Sequence, residues 1–239
     1  MNQRHSPWWY RFRELLFPAI YFVGFVGAYT FAPGSDPGLP ASVVFGRSIG
    51  ERGPELLLAL ATLCVIGCWA IRVWGAAYLR AAVVWNQDAL DHRLIVAGPF
   101  RFLRDPLYLG SLLLAVGFGL LAPPLGFAFI VVAHLILVQL LVREEATLMR
   151  ARYGATYDSY RAAVPSLVPR LVPANVPGSE TVRPSLAQGL RSEVFSAGFA
   201  LAMVLFAFGG PRMLPAFYAI GISGYLANQI LRRLPAPRT

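Results

Sequence analysis

Charged residues of both signs stand beside two neighbouring apolar runs, and their types suit the binding of a small charged molecule. Arg104 and Asp105 come directly before the apolar run that begins at Pro106, and Arg101 lies three residues earlier. An acid at the cap position followed by proline predicts a helix start, whose free N–H groups favour a negative ligand. This arrangement predicts a site for a carboxylate or a phosphate. The alternative is that the arginines only mark the membrane interface and that Asp105 only caps the helix.

A pair of acids follows the next apolar run. Glu144 and Glu145, which come after Arg143, are expected at the C-terminal end of a helix, where acids oppose the helix dipole. Such an unfavourable placement indicates a bound cation or amine, unless the acids belong to a solvated helix end with ordinary pairing along the helix. The turn at Pro123-Pro124 predicts an antiparallel hairpin that brings these acids and Arg104-Asp105 to one membrane face. The sequence thus predicts a pocket for a zwitterion.

Apolar helices must position these residues. The chain has 239 residues, of which 56% are hydrophobic and 14% charged, whereas soluble domains carry about a quarter charged residues. Because a spanning helix needs roughly 20 apolar residues, we predict an all-α, polytopic integral membrane bundle of about six transmembrane helices with a cytoplasmic cofactor pocket. The six predicted spans are residues 15–32, 54–74, 106–122, 125–142, 194–209 and 213–231.

The arginines predict how the chain is oriented. The net charge is +9, and the chain contains no lysine. A cytoplasmic N-terminus leaves only Arg47, Arg52 and Arg212 outside, as the positive-inside rule requires. Both termini and the active site are therefore expected on the cytoplasmic side of a bacterial plasma membrane. Since the arginines flank apolar runs, we expect membrane lipids and no nucleic acid as partners, and the first run is expected to be a retained helix rather than a signal peptide.

Changes in composition divide the chain into four predicted regions. Residues 1–84 hold the first two transmembrane helices, and residues 85–170 hold the central hairpin with a cytoplasmic helix. A Pro-rich linker follows at 171–193, and a C-terminal transmembrane hairpin at 194–239. Cys64 and Cys68 lie four residues apart in an apolar run, which predicts packing residues. The spacing fits neither a zinc site nor a disulfide framework, and no metal is expected.

The order of the polar motifs resembles a known family. The motifs are Gly98-Pro99-Phe100, Arg104-Asp105-Pro106-x-Tyr108-x-Gly110, Glu144-Glu145 and Tyr153-Gly154-x-x-Tyr157-x-x-Tyr160. In this order they resemble the isoprenylcysteine carboxyl methyltransferase-like membrane methyltransferases, and the phospholipid methyltransferases are similar over the same hairpin. The resemblance covers about residues 85–170. It implies S-adenosylmethionine as methyl donor and a lipophilic small molecule or lipid as acceptor.

The resemblance also implies roles for single residues. The cofactor-binding residues would be His92, Arg93, Leu94, Ile95, Phe100, Asp105, Pro106, Leu107, Tyr108 and Glu145. From the charged residues themselves, Glu144 and Arg104 are expected to be catalytic, with Glu144 as the base for an amine acceptor, and Arg143 is expected to bind substrate.

This chain departs from the family pattern at four positions. Phe100 replaces a tyrosine, and Asp105 replaces the histidine of an Arg-His-Pro triplet. Trp85 replaces a polar cofactor contact. Leu141 stands where the isoprenylcysteine enzymes carry the arginine that holds the acceptor carboxylate, which argues against a prenylcysteine substrate.

Two other functions compete with the methyltransferase interpretation. One is a membrane reductase of similar helical architecture, which would use a nicotinamide cofactor to reduce an isoprenoid or sterol-like double bond. The short 143–191 segment and the lack of a glycine-rich phosphate loop argue against it. The other is a non-catalytic membrane scaffold, which predicts tolerance of substitutions at Arg104 and Glu145.

Overall fold

The computed structural model describes residues 7–27, 39–85, 94–178 and 182–233, and all regular structure within these ranges is helical. The α-helices are α1 Trp8–Arg11, α2 Arg13–Phe22, α3 Ala41–Arg47, α4 Gly53–Trp85, α5 Pro106–Gly119, α6 Pro124–Tyr153, α7 Ala155–Ala163, α8 Leu186–Ser192, α9 Val194–Gly209 and α10 Leu214–Arg233. A π-helical turn, Val23–Gly27, follows α2, and two 3-10 turns lie at Gly98–Arg101 and Gly210–Met213. The predicted all-α class is confirmed.

Three helical stretches in the described part of the chain are long and apolar enough to cross a membrane. They are Gly53–Leu79, Pro124–Tyr153 and Val194–Phe217. Two further apolar stretches, Leu15–Gly27 and Pro106–Gly119, are shorter. At 1.5 Å per residue, the 14 residues of α5 extend only about 21 Å, less than a hydrocarbon core of about 30 Å. The chain is thus an integral membrane protein whose described residues include three candidate spans, and the six-helix arrangement stays a prediction.

Two helices, α4 and α6, extend beyond the apolar runs from which they were predicted. α4 continues from the apolar part to Trp85, and α6 continues through Glu144 and Glu145 to Tyr153. The expectation that the two glutamates end their helix is therefore wrong. The segment after Val142 contains no proline or glycine before Gly154 and is rich in residues with high helix propensity. Gly154, with φ of +54°, ends the helix.

The chain divides into two compact units, and each division falls within a helix. The first unit comprises Met1–Cys64 and Ser111–Ala146. In its core, Ala115, Ala122 and Ile130 are buried, and three partly buried side chains pack against them: Ile20, Tyr21 and Phe25. The start of α3 is held by backbone bonds, because the amides of Ala41 and Ser42 donate to the carbonyls of Ala122 and Leu120 at 2.7 and 2.9 Å.

The second unit comprises Val65–Gly110 and Thr147–Thr239. Gly189 of α8 lies so close to α4 that a Cβ there would approach the Val73 carbonyl oxygen to 2.6 Å. The amide of Ser185 also donates to the Ala77 carbonyl of α4, at 3.0 Å. Near one end of the last two helices, the backbones of Gly198 and Gly224 are in contact, as small residues permit in helix pairs within membranes.

An ion pair between the part-buried Arg72 and the buried Glu193 joins α4 to the beginning of α9 within this unit. Arg72 donates from Nε and Nη2 to the two carboxylate oxygens of Glu193, at 2.7 and 3.1 Å. The hydroxyl of Ser196 donates to Glu193 at 3.0 Å, and Arg72 also reaches the Leu107 carbonyl at 3.5 Å. Because Arg72 lies inside a candidate membrane span, its charge requires such a partner.

Candidate active site

The loop before α5 is shaped by a glycine that no other residue can replace without strain. Gly98 has φ of +58°, and a Cβ on it would lie 2.3 Å from the ring of Tyr78. The 3-10 turn that begins at Gly98 buries Phe100, which is only 6% exposed. The Phe100 carbonyl accepts a 2.7 Å hydrogen bond from the Tyr160 hydroxyl. Phe100, whose ring is predicted to line the cofactor site, is thus held in place by the hydrogen bond of its carbonyl and by the burial of its side chain.

Arg104 and Asp105 are supported by the chain that follows α7. Their backbone amides donate to the carbonyls of Pro165 and Ser166 at 2.8 and 3.2 Å. The Ser166 hydroxyl donates to Asp105 Oδ2 at 2.6 Å. The guanidinium of Arg104 donates from Nη1 to the Tyr157 hydroxyl at 3.0 Å. The cation and the acid are therefore held in defined positions at the start of α5.

One donor of Arg104 has no partner among the residues that the structure describes. Its Nε is buried, and no hydrogen-bond acceptor lies within reach. A buried donor without an acceptor costs free energy, because it has lost its contact with water. An anionic group bound beside Arg104 would supply that acceptor, as the sequence predicts for a carboxylate.

Burial governs the ionisation of the groups around Arg104. It raises the pKa of Asp105, although the Ser166 hydrogen bond and the Arg104 charge act in the opposite direction. Burial also raises the pKa of Tyr157 and, more strongly, of Tyr160. Both phenols therefore remain protonated at neutral pH and are available as donors. For Asp105, burial therefore makes ionisation less favourable in the folded protein than in water.

Replacing Asp105 with asparagine is expected to raise stability at neutral pH. The folded-state pKa of Asp105 lies above its ordinary value of 3.8, so ionisation destabilises the fold once the pH exceeds that value. The amide cannot ionise, and its oxygen can still accept from Ser166. Thermal unfolding followed from pH 7 downwards should show a gain for Asp105→Asn that disappears as Asp105 becomes protonated. A loss of stability at pH 7 would contradict this result.

The first turn of α5 holds three more of the predicted cofactor residues. Pro106 is fully buried and faces Gly75, where an added Cβ would lie 3.3 Å from its ring. Leu107 and Tyr108 are partly buried. The carbonyl of Asp105 accepts from the Tyr108 amide at 3.1 Å, which confirms that the helix begins where the acid and the proline predict.

The other predicted acids belong to the first unit, on α6. Arg143 is exposed, whereas Glu144 and Glu145 are partly buried. The Tyr10 hydroxyl donates to Glu145 Oε1 at 3.5 Å. Arg13 donates to the Tyr10 carbonyl at 3.0 Å, and its guanidinium lies 4.5 Å from the centre of the Tyr10 ring. Burial, followed by the Glu145 charge, raises the pKa of Tyr10, so this hydroxyl remains a donor.

Several predicted positions need separate mention. His92 and Arg93 lie outside the described residues, while Leu94 and Ile95 are partly buried. For Trp85 only the helical backbone is described. Leu141 is completely buried, so the position of the family's acceptor-binding arginine is occupied by an apolar packing residue. The predicted proximity of the Arg104-Asp105 group to the Glu144-Glu145 group remains a prediction.

The sequence interpretation missed two residues that contact the predicted site residues. Ser166 bonds to Asp105, and Tyr10 bonds to Glu145. The available signal for Tyr10 was the aromatic and basic segment Trp8-Trp9-Tyr10-Arg11, which is typical of a membrane interface. For Ser166 no local pattern indicates the contact. Among the residues described here, no group of three or more His, Cys, Asp or Glu could hold a metal ion.

Comparison with known proteins gives one match. The family model for phospholipid methyltransferases matches residues 56–156. This range includes most of α4, all of α5 and α6, and the loop with Phe100, Arg104 and Asp105. No curated protein and no solved structure matches the chain. The matched family is one of phospholipid methyltransferases, and the match covers less than half of the chain. The resemblance read from the motifs is thereby confirmed, and over residues 56–156 this chain carries the sequence pattern of the phospholipid methyltransferase family.

Proposed function

We propose that this protein transfers a methyl group from S-adenosylmethionine to a lipophilic acceptor, a phospholipid, an isoprenoid or a similar molecule, at the cytoplasmic face of the membrane. The observation that carries the proposal is Arg104, a fixed cation with one buried donor left without an acceptor, inside the range matched by the phospholipid methyltransferase family. The family match favours this function over the membrane reductase and the non-catalytic scaffold.

The residues present fit the methyl donor chemically. S-Adenosylmethionine, when bound, supplies an electrophilic methyl group together with a carboxylate, an amine and an adenine ring. Arg104 supplies a cationic donor for a carboxylate, and Phe100 supplies an apolar wall. Glu145, kept in place by Tyr10, is an acceptor for an amine or a hydroxyl.

Acceleration would come mainly from positioning and charge complementarity. A carboxylate acceptor attacks without a base. An amine acceptor must first lose a proton, and Glu144 is the proposed base. Arg143 is the proposed contact for the acceptor headgroup. Because Leu141 is buried and apolar, the acceptor carboxylate of a prenylcysteine would lack its usual arginine, which favours other lipid acceptors.

The test is calorimetric titration of the detergent-purified protein with S-adenosylmethionine. The wild type should bind in the micromolar range, and Glu145→Gln should weaken binding at least tenfold, since the charged acceptor is lost. Glu51→Gln is the matched control, because Glu51 is exposed and lies before α4, and it should bind as the wild type does. Folded wild-type protein that does not bind S-adenosylmethionine would overturn the proposed function.

A further inference from the structure

A proline-rich loop presents three aliphatic side chains to the surroundings of the protein. The loop, residues 165–173, contains the near-repeat Leu167-Val168-Pro169 and Leu171-Val172-Pro173. Leu171 is 99% exposed, Val168 75% and Val172 68%. Three aliphatic side chains this exposed within five residues leave much apolar area uncovered, which in water is unfavourable.

The backbone of this loop is fixed, so the outward direction of these side chains is a property of the fold. The amides of Arg170 and Ala174 donate to the carbonyls of Phe102 and Arg101 at 3.0 and 2.9 Å. The Arg170 side chain donates to the Val172 carbonyl within the loop at 3.3 Å and to the Ala163 carbonyl at the end of α7 at 2.8 Å. Pro165, Pro169 and Pro173 restrict the backbone further.

The contacts of the loop also place it at the level of a membrane interface. Phe102, whose carbonyl accepts from Arg170, packs its ring against Trp74 with centroids 5.8 Å apart. Trp74 lies in the last turns of the candidate span Gly53–Leu79 and is 41% exposed. Tryptophan at the end of a transmembrane helix occupies the headgroup region. The loop is hydrogen-bonded to the backbone of Phe102, whose ring contacts Trp74, and therefore lies at nearly the same depth.

We propose that this loop inserts Val168, Leu171 and Val172 into the interfacial layer of the bilayer that holds the protein. The occupant of the apolar surface is lipid and not a protein partner, because the depth given by Trp74 is that of the headgroups. Charge agrees with this choice. Arg170 is exposed, Arg101 is next to the loop and donates to the Ala174 carbonyl, and anionic headgroups attract such cations.

This inference is independent of the methyl-transfer proposal but has a structural link to the candidate site. The same loop provides the Pro165 and Ser166 carbonyls that bind the amides of Arg104 and Asp105. The segment proposed to contact lipid is therefore continuous with the segment that binds the backbone of Arg104 and Asp105.

A fluorescent probe at Leu171 tests the proposal. Leu171→Cys is introduced with Cys64→Ala and Cys68→Ala, labelled with an environment-sensitive nitrobenzoxadiazole dye, and reconstituted as single chains in nanodiscs of phosphatidylglycerol and phosphatidylethanolamine. We expect blue-shifted emission, quenching by lipids with a nitroxide high on the acyl chain, and protection from aqueous iodide. Ser159→Cys, at an exposed polar position of α7, is the matched control and should show iodide quenching only.

Either of two results would overturn the proposal. Iodide quenching of the Leu171 probe as strong as that at Ser159 would place the loop in water. A blue shift without quenching by nitroxide lipids would identify a protein contact, such as a second copy of the chain. A probe at Val168→Cys gives an independent reading if the Leu171 variant does not fold, as judged by its thermal unfolding.

Discussion

Replacing Arg72 with methionine is expected to destabilise the protein by about 3 kcal/mol or more, because breaking a buried ion pair leaves an uncompensated charge. Glu193 is buried, with 8% of its side chain exposed, and it receives two hydrogen bonds from Arg72. Ser196 alone cannot neutralise the remaining carboxylate. Thermal and denaturant unfolding in detergent should both show the loss.

A double-mutant cycle separates the loss of the pair from the loss of packing. Glu193→Gln alone should also destabilise, since Arg72 then remains inside an apolar helix beside a neutral amide. Arg72→Met combined with Glu193→Leu should recover a large part of the loss, because well-packed apolar groups replace an ion pair at little net cost. Additive effects of the two single changes would show that the ion pair does not couple α4 to α9.

Replacing Arg104 with leucine is expected to lower methyl transfer to a membrane lipid extract by about 100-fold, the usual effect of losing one preorganised charged donor. The reason is local, since Arg104 is held by Tyr157 and has a buried Nε that finds no acceptor among the described residues. Transfer of radiolabelled methyl groups into the lipid fraction measures the effect.

Two matched variants distinguish the role of the charge from that of the surrounding contacts. Tyr157→Phe keeps the Arg104 charge and removes the hydrogen bond of its Nη1, so about a fivefold loss is expected, equivalent to one ordinary hydrogen bond. Arg161→Leu removes an exposed cation from the same helix as Tyr157 and should leave transfer unchanged. Wild-type activity in Arg104→Leu would eliminate Arg104 from the site.

The helices and the start of α5 could be predicted from the sequence because their signals are local. Apolar runs show where the helices lie, and Asp105-Pro106 marks a helix start that the backbone confirms. The apolar run to Val142 predicts a helix that ends near Glu144-Glu145, with a separate helical segment after it, whereas the structure has one continuous helix to Tyr153. Helix propensity persists there to Gly154, and hydropathy reports the environment of a helix and not its length.

The contacts that support the candidate site could not be predicted, because they join residues distant in sequence. Ser166 and Asp105 are 61 residues apart, and Tyr10 and Glu145 are 135 apart. The ion pair had a visible signal that was overlooked. A single arginine in an apolar run, Arg72, requires a partner, and Glu193 stands directly before the apolar run at 194–209. Pairing the two from sequence still needs knowledge of how the helices pack.

The Arg72–Glu193 pair has a consequence for biogenesis. Glu193 is synthesised 121 residues after Arg72, so at roughly 5–20 residues per second the ribosome needs on the order of 6–24 s to deliver the carboxylate. Throughout that interval the nascent α4 carries its guanidinium without this counter-ion. The ion pair therefore forms only after Glu193 has emerged, so this contact between α4 and the C-terminal pair of helices is completed late in synthesis.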